Sequence, residues 1–585
     1  MSMADKSDLD NLRHSTAHLL AAAVISLWPK AKRTIGPAIE DGFYYDFDFG
    51  KEKVSEEDFP KIEKKMADIL QTWNGFSGRE VTKEEVKNLY KDNPYKLELI
   101  DEFSEKGEKL TIYKSGEYED LCRGGHTNNP KEDLKHFKLL SIAGAYWRGS
   151  EKNAMLTRIY GTVFSSKKEL DNYLWQISEA KKRDHKKLGK ELDLFIISEE
   201  VGPGLLIWTP KGATIRREIE KFIVEEQTKR GYLHVYSPHI GRKSLWETSG
   251  HWDLYRDKMY SPMKIDDEDY LVKPMNCPMH MMVYKSKMRS YRDLPIRIAE
   301  NATVYRYEQT GELSGMVRVR YITQDDSHIF CREDQVIDEF SGVLDYIIFL
   351  LKAFNISDYY FRLSLRDPNK KDKYLGDDKV WSEAEKRIEA AVDKSKLPYK
   401  KVEGEAAFYG PKLDVMVKDA LGREWQCGTI QIDFMLPERF NLEYVDNDGK
   451  TKRPVLIHRA PLGSLERWVG LLIEHYAGAF PVWLSPVQVK LLPITERNLE
   501  YAKEVTKKLT DEGIRAETDE RNETLQAKIR DAQIEKVPYM LIVGDKEQKS
   551  ETVSVRGRSG KDYGVHKLEE FTTDIKKEIL KKSLN

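Results

Sequence analysis

The sequence predicts a multidomain chain that mixes α+β and α/β architecture, and three observations carry that prediction. Its 585 residues exceed what one hydrophobic core serves and point to about three or four domains. Residues 1 to about 165 interleave the two periodicities: DGFYYDFDF alternates like a strand, and EEDFPKIEKKMADIL repeats its apolar residues at helical spacing. The last hundred residues run strand, helix, strand through VQVKLLPI, NLEYAKEVTKKLTDEGI and VPYMLIVG, the order of a small α/β domain.

In chain order, HSTAHLLAAA places His14 and His18 four apart, on one face of a helix. Two imidazoles so placed fit half a zinc site, a hydrolytic centre, or simply polar residues at a helix end. A charged run, SSKKELDNYLWQISEAKKRDHKKLGKEL, carries Leu170, Leu174 and Ile177 at helical spacing and predicts one linker helix ending near Gly189. Residues to about 482 are rich in tryptophan, tyrosine and strand-like segments. The expected division is 1–165, a linker at 166–190, 191–482 and 483–585.

Composition narrows the function. The chain is 40% hydrophobic and 33% charged with a net charge of −2, so any nucleic-acid contact must come from local patches. The longest apolar runs, LLAAAVISLW and YIIFLL, are too short to span a bilayer, and MSMADKSDLD is no signal segment. Neither a membrane partner nor export is expected. The four cysteines, Cys122, Cys277, Cys331 and Cys427, are scattered, which favours reduced thiols and a cytoplasmic setting.

Three distant segments share chemistry: PMNCPMH around Cys277, TQDDSHIFC around His328 and LIHRAPLGS around His458. One thiolate and two imidazoles are a credible zinc set with a position left open. Spacing alone leaves the alternative that each is an unrelated core or loop residue. VYRYEQTGELSGMVRVRYI carries Arg306, Glu308 and Arg318, and GSLERWVGLLIEHY carries Gly463, Glu466 and Arg467. Arginine suits multidentate phosphate contact. No G-x-x-x-x-G-K or G-x-G-x-x-G loop occurs, so a nucleotide would be held by arginines on an antiparallel sheet.

These segments resemble a known family. GATIRREIEKFIVEEQTKRGYLHVYSPHI, Arg306-Tyr307-Glu308 and Gly463 to Arg467 resemble the three motifs of class II aminoacyl-tRNA synthetases. PMNCPMH, TQDDSHIFC, AFYGPKLDV, QCGTIQIDF and HRAPLGSLERW resemble the threonyl-tRNA synthetases in particular, and the likeness runs from His14 to about Ser583. The resemblance implies an α+β editing domain, a class II antiparallel-sheet catalytic domain and an α/β anticodon-binding domain. It implies a homodimer paired through the first motif, with tRNA(Thr), ATP and threonine as partners, joining threonine to its tRNA through a threonyl-adenylate.

By the same resemblance, Cys277, His328 and His458 hold one Zn²⁺ per subunit, and Gln324, Asp326, Tyr409, Gln431 and Ser464 complete the threonine pocket. Gly410, between Tyr409 and Pro411, would permit close backbone approach. Arg306, Glu308, Arg318 and Arg467 would bind ATP, which enters with Mg²⁺, and His251 would assist proton transfer from the tRNA ribose. A metal that requires a hydroxyl rejects valine but admits serine, and one methyl is worth only about 1–3 kcal/mol. A second, hydrolytic site is therefore expected, and His14, His18, Lys96, Asp120, Cys122 and His126 match the family's editing positions. H-x-x-x-H with C-x-x-x-H is also a good zinc tetrad; the resemblance implies hydrolysis without metal. Asn522, Arg530, Glu547 and Arg556 match anticodon-reading positions, and single-stranded bases are read by such edge contacts. KKRDHKKLGK and KSKMRSYR are expected tRNA phosphate contacts.

Two departures stand out. Only thirteen residues precede His14, where the family carries a ubiquitin-like domain, so that domain is expected to be missing. Tyr321-Ile322 replaces the family's Gly-Phe, so either Ile322 alone supplies apolar contact to adenine or Tyr321 rearranges. An RNA-binding regulator on a synthetase scaffold would predict damage to the zinc triad or the ATP arginines. A stand-alone editing hydrolase would predict that the ATP motifs are missing. An unrelated zinc hydrolase would need a motif such as H-E-x-x-H, and none occurs.

Overall fold

The structure is a computed structural model describing residues 3–419 and 422–582, and it divides into two compact units, residues 1–178 and 179–585.

In the first unit the alanine-leucine run forms the helix Met3–Leu27. Ala17 and Leu19 to Val24 are buried on every side of it, as expected of a helix apolar all round. It packs on an antiparallel sheet in which Gly42–Asp48 lies between Lys32–Arg33 and Met155–Val163, with Phe137–Tyr146 beyond. Phe43, Tyr45 and Phe47 alternate into this core. The amphipathic segment forms the helix Phe59–Leu70, burying Phe59, Ile62, Met66 and Leu70 at three- and four-residue spacing. A smaller sheet, Ser77–Glu80, Thr111–Ser115 and Tyr118–Leu121, accompanies the helices Lys83–Leu89 and Pro94–Glu105.

The linker departs from expectation. It is two helices, Lys167–Arg183 and His185–Glu191, because the Asp184 side chain accepts from the backbone N–H groups of Lys186 and Lys187 and starts a new helix there. The boundary between the two units falls inside the first of them.

The second unit is built on an eight-stranded sheet. Its order is Leu233–His234, Ile296–Tyr305, Tyr321–Cys331, Val455–Ala460, Glu424–Asp433, Lys412–Lys418, Tyr359–Leu365 and Tyr399–Glu403. The six central strands are antiparallel and only the two outermost pairings are parallel. The helices Pro210–Lys229, Val336–Ala353 and Leu465–His475 supply much of the main core. The C-terminal sheet runs Ala516–Thr518, Val489–Pro493, Tyr539–Val543, Thr552–Gly557 and Asp562–Lys567; its first three strands are parallel and its last two form an antiparallel edge. Among the described residues no helix is long and apolar enough to cross a membrane.

Candidate functional site

Strand register assembles the first cluster. In the eight-stranded sheet His328 is directly opposite His458, and His458 directly opposite Gln431 on its other side. Residues about 130 apart in sequence thus become cross-strand neighbours. Cys277 opens the helix Cys277–Lys285 above them. The donor atoms of Cys277, His328 and His458 all lie within 4.8 Å of one another, and all three residues are buried. Each imidazole has one nitrogen already engaged: His328 Nδ1 with His280 Nδ1 at 2.8 Å, and His458 Nε2 with Asp433 Oδ2 at 2.8 Å. The other nitrogen of each remains for a cation, and such outer partners are what orient metal-binding imidazoles. Burial, together with His458 and His280, pushes the His328 pKa well below its ordinary value, so it is neutral, the form that binds metal. The residues therefore fit a zinc ion.

Around this cluster Tyr409 stacks on His458 with ring centroids 4.9 Å apart and donates to Gln431 Oε1 at 2.5 Å. A Cβ on Gly410 would run into the carbonyl oxygen of Ile432, so that position does require glycine. Gln324 bridges to Ser464, and Asp326 Oδ2 lies 3.8 Å from His328 Nδ1. His251 begins the helix His251–Tyr255, is fully buried, and points Nε2 at Cys277 Sγ, 3.8 Å away. Its Nδ1 lies 2.7 Å from Ser249 Oγ, and burial followed by the charges of His458 and Arg306 lowers its pKa to about 3.

The arginines are anchored by backbone. Arg467 donates to the carbonyls of Val317 and Gln426, each at 2.9 Å, and Arg306 reaches Pro274 O at 3.5 Å. Glu308 is paired with Arg318 at 3.0 Å and with Lys258 at 3.2 Å. In this state Arg318 and Glu308 neutralise one another. Lys258 escaped sequence reading, since it lies outside every motif. Of the Tyr321-Ile322 pair, Ile322 shares a strand face with Gln324, Asp326 and His328, whereas Tyr321 faces the other way and donates to Leu206 O at 2.9 Å.

The second cluster lies in the first unit. His14 Nε2 is 3.1 Å from Cys122 Sγ, and Cys122 Sγ is 3.3 Å from His126 Nε2. Gly124 and Gly125, both at positive φ, turn the chain so that His126 returns to Cys122. All four donors, His14, His18, Cys122 and His126, lie within 4.8 Å of one another. Lys96 and Asp120 form a buried ion pair of 2.7 Å. A cavity of about 340 Å³ is lined by His14, His18, Lys96, Asp120 and Cys122. Burial would raise the Asp120 pKa, yet Lys96 and Arg33 hold it far below the usual carboxylate range. Its oxygens also accept from the hydroxyls of Tyr45, Tyr90 and Tyr118 at 2.6, 3.0 and 3.0 Å. Arg33, Tyr45 and Tyr90 carried no sequence signal, because they converge on Asp120 from three other segments, whereas Tyr118 is two residues away on the same strand.

The remaining expectations fare unevenly. Asn522 and Arg530 are exposed, and Glu547 and Arg556 are half-buried. Among the described residues no hydrogen bond joins these four; Glu547 caps its own helix by accepting from Gly544 N at 3.0 Å. In KKRDHKKLGK, His185 is buried against Glu474 at 2.7 Å and so is a packing residue, not a phosphate contact. In KSKMRSYR, Lys285 donates to Phe440 O at 2.9 Å and Arg289 to Tyr284 O at 3.1 Å.

Comparison with known proteins agrees with this arrangement. Residues 260–476 match the tRNA synthetase class II core domain (G, H, P, S and T), residues 488–578 the anticodon binding domain, and residues 110–160 the threonyl and alanyl tRNA synthetase second additional domain. A threonine–tRNA ligase of Streptococcus thermophilus is 52% identical over 574 residues, covering 98% of this chain and 88% of that protein. One from Deinococcus radiodurans is 50% identical over 580 residues, covering 98% and 89%. Among solved structures, the RNA binding domain of threonyl-tRNA synthetase from Cryptosporidium parvum has a TM-score of 0.65 at 38% identity, covering 68% of this chain and 98% of that one.

Proposed function

This chain belongs to the threonyl-tRNA synthetases, ATP-dependent ligases that attach threonine to its tRNA and edit the product, and on that premise we propose that one residue set in the second compact unit carries synthesis and one in the first carries correction. The observation that carries the reading is the register that sets His328 opposite His458 beneath Cys277.

Cys277, His328 and His458 would hold zinc. When bound, zinc would supply a Lewis acid that favours an amino acid carrying a hydroxyl, as threonine does and valine does not. Gln324, Asp326, Tyr409, Gln431 and Ser464 orient the amino acid, with Asp326 facing its ammonium or hydroxyl. ATP enters with Mg²⁺. Arg306 stabilises the charge that develops as the threonine carboxylate attacks the α-phosphate, and Arg467 holds the γ-phosphate. Glu308 takes the adenine amino group, which requires it to share or release Arg318 and Lys258. Ile322 supplies apolar contact to the adenine. No covalent enzyme intermediate is needed; positioning and electrostatics suffice. His251 assists the proton transfer as the tRNA ribose attacks the adenylate.

In the first unit, His14, His18, Cys122 and His126 place a water against the ester of seryl-tRNA, and Lys96, held by Asp120, supplies positive charge for the developing oxyanion. Asn522, Arg530, Glu547 and Arg556 contact the anticodon. Exposed apolar side chains near the first motif, Ile196, Ile197, Leu233 and Tyr236, support a homodimer there. The four buried cysteines are all free thiols, which supports a cytoplasmic setting.

The test is charging with threonine, serine and valine by the intact enzyme and by the His14→Ala/His18→Ala double variant. The variant accumulates seryl-tRNA, still charges threonine and still rejects valine. Loss of threonine charging, or no gain of seryl-tRNA, would remove the editing role of the pair.

A further inference from the structure

Behind His328 lies a buried polar group that none of these steps uses. Cys277 and His280 are three apart in the helix Cys277–Lys285 and so share one face. His280 is fully buried, and Lys273, Asn276 and Glu300 are nearly so. The Nδ1 atoms of His280 and His328 lie 2.8 Å apart with the rings at 88°. On its far side His280 Nε2 lies 3.3 Å from Glu300 Oε2. Glu300 is held in turn by Ser237, whose backbone N–H donates to Oε1 at 2.8 Å and whose hydroxyl lies 2.8 Å from Oε2, and by Asn276 Nδ2 at 2.9 Å.

Two proton arrangements fit this chain, because His280 Nε2 also lies 3.1 Å from Asn276 Nδ2. In the first, the nitrogen facing Glu300 carries a hydrogen, since a carboxylate only accepts. A neutral imidazole has one N–H, so His280 Nδ1 is an acceptor. His328 Nδ1 must then be the donor, which leaves the lone pair of His328 on Nε2. The opposite arrangement would set a nitrogen lone pair 3.3 Å from the carboxylate and would cap His328 Nε2 with a hydrogen. Asn276 Oδ1 accepts from Lys273 Nζ at 2.9 Å, so its Nδ2 donates to Glu300 and also faces His280 Nε2, and what selects the first arrangement is the lone pair that His328 Nε2 needs to bind a metal.

We propose that His280 and Glu300 are positioning residues that fix the tautomer of His328, keeping Nε2 free for the metal. This rests on the reading of Cys277, His328 and His458 as the zinc set. Outer partners of metal-binding histidines act in this way, fixing ring and tautomer and raising ligand basicity. A rival arrangement is also visible, since donors of His280, Asp326 and His328 likewise lie within 4.8 Å of one another, which would make His280 itself a ligand.

The experiment uses the full chain. Zinc content is measured by mass spectrometry, zinc affinity by competition with a chromophoric chelator, and ligand set by the absorption of the cobalt-substituted protein. The variants are His280→Phe, Glu300→Gln and, as a control for general disturbance of this helix, Met281→Leu. Glu300→Gln and His280→Phe each weaken zinc binding by about 10–100-fold, retain one zinc at saturation, and keep the cobalt–thiolate band and coordination number. Met281→Leu matches the unaltered protein. Glu300→Gln keeps side-chain shape and decides the matter where the phenylalanine variant does not fold. Unchanged affinity in Glu300→Gln would overturn the relay while leaving the zinc triad standing. A cobalt spectrum of His280→Phe that has lost a nitrogen ligand would overturn it in favour of His280 as a ligand. An unaltered protein that binds no zinc would overturn both the relay and the triad.

Discussion

The Nε2 atoms of His14 and His18 lie 3.1 Å apart, a separation at which one must donate and the other accept. Burial pushes both pKa values down, and burial followed by the charge of His14 takes His126 to about 3. Burial also raises the Cys122 thiol to about 11. The cluster is therefore neutral at pH 7, and acid has to go well below the ordinary histidine range to charge it.

The rate of seryl-tRNA deacylation should accordingly stay flat from about pH 8.5 down to about pH 6, whereas an unperturbed histidine base would lose about half its effect near pH 6.5. A pH–rate profile with a midpoint near 6.5 would contradict this placement. Stability carries the same sign. Below about pH 6.5 the unfolded chain takes up protons that the folded one refuses, so the first unit loses stability as pH falls.

Metal removal should separate the two units. Chelation to remove zinc is expected to abolish threonine-dependent ATP–pyrophosphate exchange while leaving seryl-tRNA deacylation intact. Deacylation that falls in step with zinc loss and returns with added zinc would show that the tetrad of His14, His18, Cys122 and His126 works as a metal site.

Asp120→Asn should destabilise the first unit by about 3–5 kcal/mol, because Lys96 and Arg33 would remain buried without their counter-charge. Hydrogen exchange across residues 118–122 reads this directly. A change below about 1 kcal/mol would mean that the ion pair is solvated in solution.

Ile322→Phe should lower the KM for ATP roughly fivefold, on the order of 1 kcal/mol for one added aromatic contact. The strand alternation places residue 322 on the face of Gln324 and Asp326, where the proposed function puts the adenine. An unchanged KM for ATP with unchanged kcat would put the adenine elsewhere.

Local pattern made much of this protein legible. Period-two alternation located Gly42–Asp48, and the three- and four-residue rhythm located Phe59–Leu70, because each depends on neighbours a few residues away. The linker's apolar spacing runs on unbroken and predicts one helix; the capping bond of Asp184 interrupts it, and capping is decided by backbone geometry that spacing does not encode. Arg318 carried a phosphate-binding expectation, yet in this structure it is spent on Glu308 and Glu312.

The sequence by itself determined which chemical groups are present and in what order: the thiol and imidazoles of the proposed zinc set, the His/His and Cys/His pairs of the proposed editing set, and the motif arginines. Only the tertiary structure decided who faces whom. His328 meets His458 through antiparallel register, and a shift of one residue would send either to the opposite face of the sheet. Asp120 gathers Arg33, Tyr45 and Tyr90 from other elements, and Glu300 reaches His328 through His280. The physical reason is that a buried polar group must find its partners wherever packing brings them, and those partners are fixed by long-range closure of the core, which no local periodicity records.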